Sequence, residues 1–134
     1  MATLEQTIRE RWAANTTLNG LLASSKVYVG QNSTATLPWV SITRESSTKR
    51  VQSSANRIDA TTIRFELYLG SYDDGRALAT ALAKQTTTGF HQDSFDITGD
   101  GRAVSMILEN EGDFQDERGN WVFVVDFVVT YKRP

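Results

Sequence analysis

The stretch Asp96–Ile107, DITGDGRAVSMI, comes closer than any other to a metal-binding loop. It has an acid first, the Thr98 hydroxyl third, Asp100 fifth and Gly101 sixth, which is the opening half of an EF-hand loop. The twelfth position must supply a bidentate Glu, and here it is Ile107; the ninth is Val104, and Glu109 comes two residues too late. No helix signal flanks the stretch on either side. It reads instead as a β-hairpin. Phe95 and Ile97 alternate with polar neighbours before the turn. After it, Ala103, Ser105 and Ile107 face one way, and Val104, Met106 and Leu108 the other. The Gly-Asp-Gly between them tolerates positive φ.

The other candidate groups are explained without catalysis. The single histidine, His91, stands in TGFHQDSFD. A general base needs a nucleophile and an orienting partner, and Asp93 and Asp96 are near it only along the chain. Asp73 and Asp74 precede an alanine-rich run, where acids favour the start of a helix. GSYDDG lacks the lysine and the glycine spacing of a phosphate loop. Asp126 lies within an apolar strand. Its pKa rises if it is buried alone; otherwise it faces solvent or pairs with a basic residue such as Arg64. The chain has no cysteine, which removes disulfides, thiolate nucleophiles and zinc–thiolate sites. No catalytic residue, cofactor site or metal site is expected, and the chain does not read as an enzyme.

The elements that position these residues come from an ordinary globular composition. The 134 residues suffice for one domain over 1–134. They are 40% hydrophobic and 22% charged, with a formal net charge of −2 and a pI near 5.4. That balance argues against a protein devoted to nucleic-acid phosphates, so no sequence-specific nucleic-acid binding is expected. No apolar run reaches the roughly 20 residues that cross a bilayer, and MATLEQTIRERW lacks a signal-peptide core. The expectation is a protein kept in the cytoplasm or built into a particle assembled there.

TLEQTIRERWAAN predicts a helix, with Thr3 and Gln6 placed for a capping box and Leu4, Ile8 and Trp12 on one stripe. Leu18, Leu21 and Leu22 predict a second short turn weakened by Gly20. KVYVG (26–30) and WVSITRE (39–45) read as strands, the second with Val40 and Ile42 on one face. SSTKRVQSSANR (46–57) keeps no period and reads as a long mobile loop or a splayed hairpin tip. IDATTIRFELYLG (58–70) is a long strand with Ile63, Phe65, Leu67 and Leu69 inward. SYDDGRALATALAKQTTTG (71–89) is a helix capped by Ser71 or Asp73, burying Ala77, Leu78, Ala81 and Leu82 and stopped by Gly89. EGDFQDERGN (111–120) reads as a charged turn. WVFVVDFVVTYKRP is a strand apolar on both faces, so it must be central or covered on its second side. The fold class expected is α+β, a mostly antiparallel sheet packed by an N-terminal helix and one alanine-rich helix.

LNGLLASSKVYVG, LPWVSITRES and IRFELYLGSYDDGRALATAL together resemble the small tail-terminator, or tail-completion, proteins of long-tailed bacteriophages. The likeness rests on Val27-Tyr28 in a short strand, Pro38-Trp39 opening the next, and Gly70-Ser71-Tyr72-Asp73 joining a long strand to a helix. The resemblance implies a virion protein of the tail or neck, assembled in the host cytoplasm. It implies a self-associating ring, usually a hexamer, that caps the tail tube protein and meets a head connector or stopper protein. The other reading is a small non-enzymatic ligand-binding or regulatory domain, its pocket lined by Trp121, Phe123 and Phe127.

On the ring reading, Lys49, Arg50 and Arg57, with Arg44 at the base of the 46–57 segment, face acids on a neighbouring subunit. Glu111, Asp113, Asp116 and Glu117, with Glu109 beside them, are the matching set. The segment is then expected to order on assembly, having too little apolar surface to hold itself down.

Calcium offers a direct check on the hairpin reading of Asp96–Ile107. Millimolar calcium should leave the melting temperature unchanged; a rise that EDTA reverses would restore the metal-loop reading.

Overall fold

The computed structural model describes residues 3–30, 36–52, 57–84, 89–90, 93–97 and 101–132. Thr3 starts the first helix, α1 (Leu4–Ala14), through the expected capping box. Its hydroxyl accepts from the Gln6 N–H at 3.2 Å, and the Gln6 side chain accepts from the Thr3 N–H at 3.0 Å. Leu4, Ile8 and Trp12 are fully buried on one stripe, and the Trp12 indole donates to the Leu22 carbonyl at 2.9 Å. Asn15 ends α1 and caps α2 (Thr16–Leu21), its side chain accepting from the Thr17 and Leu18 N–H groups.

The strands are β1 (Val27–Val29), β2 (Trp39–Gln52), β3 (Arg57–Leu69), β4 (Asp93–Ile97), β5 (Gly101–Gln115) and β6 (Trp121–Lys132). They form one sheet in the order β1-β2-β3-β6-β5-β4. β1 runs parallel to β2, and the other described pairings are antiparallel. Helix α3 (Tyr72–Leu82) joins β3 to β4. The fold is α+β, as expected. Strands β4 and β5 pair as the predicted hairpin, with Gly101 at φ 106; residues 98–100 lie outside the described residues. A register shift between Ala103 and Ser105 interrupts the unbroken alternation predicted there.

The 46–57 segment, expected as a mobile loop or a splayed hairpin tip, is largely paired strand, and so is the first half of the expected charged turn. β2 continues through Gln52, and β3 begins at Arg57, paired Ser46↔Thr62 to Gln52↔Arg57. Irregularities at Arg44/Ser46 and Lys49/Val51 break the alternation that identifies a strand in the sequence. Residues 53–56 lie outside the described set. β5 likewise runs to Gln115, past an irregularity at Leu108/Asn110, so the charged turn shrinks to 116–120.

The core lies on one face of the sheet. Phe65 packs against Trp12 at 6.3 Å, Phe90 at 5.6 Å and Phe127 at 5.7 Å between ring centroids. α3 lies on the same face, burying Gly75, Leu78, Ala79, Ala81 and Leu82; Ala79 replaces the expected Ala77, which is exposed. Ser71 is the N-cap residue but makes no side-chain cap bond. α3 ends at Leu82, well before Gly89. Gly89 instead sits against the last carbonyls of the helix, where a Cβ would collide with those of Ala81, Leu82 and Lys84. Phe90 N–H donates to the Leu82 carbonyl at 3.0 Å.

β6 is central, as its two apolar faces require. Phe123, Val125, Phe127 and Val129 enter the core, while Val122, Val124, Asp126 and Val128 share the opposite face. There Arg64 grips Asp126 with two bonds, Nε–Oδ1 at 2.9 Å and Nη2–Oδ2 at 3.2 Å, with Glu45 3.8 Å away. The hydrogen bond to Asp126 raises the Arg64 pKa, against a smaller lowering by desolvation. Of the alternatives open for Asp126, pairing with Arg64 is the one realised.

Two pairs of variants check this packing. Gly75→Ala should improve helix propensity yet lower stability by about 1–3 kcal/mol, because the Phe123 ring occupies the space a Cβ needs. Gly20→Ala meets no atom within 4 Å and should add about 0.5–1 kcal/mol. Arg64→Leu or Asp126→Leu alone should cost about 1–3 kcal/mol, and the double variant less than the worse single one, because it strands no charge. Denaturant melts of the six proteins, parent included, decide both points.

Candidate assembly interface

Among the described residues no three His, Cys, Asp or Glu side chains gather as a metal site. His91 lies outside the described residues. Asp73 and Asp74 are exposed in the first turn of α3.

The expected interface residues fall into two sets that the fold holds apart. Lys49 and Arg50 lie on β2, and Arg57 opens β3, at the Gln52–Arg57 end of the sheet; their side chains lie outside what is described. Arg44, nearer the middle of β2, donates to Glu5 of α1 at 2.7 Å and so ties helix to sheet. The acids follow β5 toward the opposite end. Glu111 accepts from Arg76 of α3 at 3.4 Å, while Asp113 stands exposed. Asp116 builds the β5–β6 turn: its carboxylate accepts from the Arg118 and Asn120 N–H groups at 2.9 Å each, and Gly119 takes φ 81. Glu117 is exposed at the tip of that turn. Two strands, β3 and β6, separate β2 from β5. Lys49 and Arg50 are therefore on the opposite flank from the acids of β5, and Arg57 lies toward the opposite end of the sheet.

Two surface features carry signals that the strand periods alone did not reveal. Tyr28, Trp39 and Tyr68 form an aromatic run on the sheet face away from the core, with Trp39 stacked on Tyr68 at 4.1 Å and 7°. Burial, then the bond its hydroxyl donates to Glu66 at 2.9 Å, pushes the Tyr68 pKa up to about 12. A clue existed in the outward phase of Trp39 and Tyr68, which pair directly across β2 and β3. The second feature is a groove of about 440 Å³ where β3 passes into α3, lined by Leu21, Leu37, Pro38, Leu69 and Ala77, with Asp74 on its wall. Phe123 and Phe127, which the alternative reading set around a pocket, are buried in the core, and Trp121 packs against it.

The three short motifs noted in the sequence take coherent places. Val27-Tyr28 is on β1, Pro38-Trp39 opens β2, and Gly70 to Asp73 turn β3 into α3. No curated protein matches the chain. A solved chain from the virion of a native gene transfer agent (GTA) particle superposes with a TM-score of 0.79, covering 96% of this chain and 94% of that one at 13% identity. Such a likeness speaks for the fold. The family model described as tail completion protein gp17 matches residues 6–132, nearly the whole length, and the chain belongs to that family.

Proposed function

We propose that this chain, as one domain over 1–134, is the subunit of a ring, a hexamer by family resemblance, that closes a phage or phage-like tail. One surface of the ring meets the tail tube protein and the other a head connector or stopper protein. The protein works by binding and catalyses nothing. The observation that carries this reading is the match to the tail completion family across nearly all of the sequence. The division of charge supports it: Lys49, Arg50 and Arg57 are separated within the subunit from Glu111, Asp113, Asp116 and Glu117, and a second subunit brings such sets together. Exposed pairs of this kind contribute roughly 0.2–1 kcal/mol each and are screened by salt. They set register and rate, and apolar contact supplies most of the affinity.

The groove beside Leu21 and Leu37 favours one other reading, a binding domain for a small apolar ligand. Sedimentation velocity separates the two. The parent should associate at low salt and less at high salt. A Lys49→Ser/Arg50→Ser/Arg57→Ser variant should melt like the parent and associate more weakly. Equal association of both proteins at both salts would remove these cations from the interface. A monomer at every concentration, stabilised by apolar ligands, would favour the pocket.

A further inference from the structure

We propose that subunits associate edge to edge, β2 of one copy adding as a strand to β5 of the next, so that the sheet continues from subunit to subunit. The inference rests on the self-association proposed above and specifies its contact.

Both flanking strands of the sheet are too short for the strands they cover. β1 pairs with β2 only from Val40 to Ile42. β4 pairs with β5 only as far as Met106. Among the described residues, no strand lies on the outer side of β2 from Glu45 to Gln52, or on the outer side of β5 from Glu109 to Gln115. These two stretches have nearly equal length. Every residue from Glu109 to Gln115 is exposed, so this part of β5 is a single ribbon held to one neighbour. An open edge of that length is a template for another strand.

Charge selects the partner. The β5 stretch carries Glu109, Glu111 and Asp113 and no cation, whereas the β2 stretch carries Lys49 and Arg50 with one acid, Glu45. Pairing β5 with β5 sets acid against acid, and β2 with β2 sets cation against cation; β2 with β5 matches them. Direction agrees. Through three antiparallel steps, β2 and β5 run in opposite senses. A copy generated by rotation about an axis near the strand direction therefore presents β5 antiparallel to β2. The free stretches lie toward opposite ends of the sheet, since β2's adjoins Arg57 and β5's adjoins Trp121. Full pairing displaces each copy along its strands, which tilts them to the ring axis as in a closed barrel. A head-to-tail contact of this kind closes into a ring when the rotation closes.

The lack of cysteine makes the test clean. Ser46, Ser47 and Thr48 on β2 are each changed to Cys in combination with Cys at Asn110, Glu111 or Gly112 on β5. The two sites of any one variant lie on opposite flanks of the sheet and cannot bond within a subunit. Under mild oxidation at assembling concentrations, some combinations should give ladders of disulfide-linked multimers, with yields alternating between adjacent positions as side chains alternate across a strand. Single-site variants should give no dimer. Amide exchange at Glu109–Gln115 should slow on assembly. Association by sedimentation with no linked ladder and no amide protection would overturn the edge pairing while leaving the ring reading intact. Dimers of the single-site variants would also overturn it, in favour of a two-fold contact. No association of the parent at any concentration would remove the ring reading, and this contact with it.

Discussion

The contact between Phe65 and Phe127 joins the two central strands, β3 and β6. β3 and β6 are joined over twelve residue pairs, from Ile58↔Lys132 to Leu69↔Trp121, and these rings meet edge to face near the middle. Trp12 arrives from α1 and Phe90 from the segment beyond α3. Both long helices are thereby drawn to one face of the sheet. Their burial determines the rest: a dry side that stabilises the subunit and a second side that must solve its exposure by other means.

That second side does so with an ion pair and an aromatic stack. Asp126 is largely buried but held by both arms of Arg64, whose own proton is bound more tightly for it. Tyr68, stacked under Trp39, keeps its proton far into the alkaline range. The apolar members of this face, Val122 and Val124 among them, are shielded by neighbouring strands instead of by a helix.

The elements legible in the sequence are those whose signal is local. α1 announces itself through Thr3, Gln6 and a stripe repeating every fourth residue; β3 and the core face of β6 do so by strict alternation. The alanine-rich helix was legible as a helix but not in its phase, because Ala77 and Ala79 are equally small, and the buried stripe runs through Gly75, which lies against Phe123. The outer half of β2 and the far half of β5 were not legible as strands. Their pairing is supplied by backbone bonds to neighbours, and bulges near Arg44, Lys49 and Leu108 erase the period. Of the candidate interface, composition revealed which residues are charged. That they occupy opposite flanks depends on sheet order, which no local pattern encodes.

The position of β6 has a consequence for how the subunit is made. β6 follows every other strand in the sequence yet lies between β3 and β5. As the polypeptide leaves the ribosome, α1, β1, β2 and β3 emerge first, and the β4–β5 hairpin follows, but the two halves have no seam until Trp121–Lys132 arrives. Its pairing with β3 is distant in sequence, the kind that forms slowly, whereas its pairing with β5 is a local hairpin. Until then β3 and β5 each offer an open inner edge as well as an outer one. A chain whose β6 has yet to dock is thus open to strand addition at these inner edges.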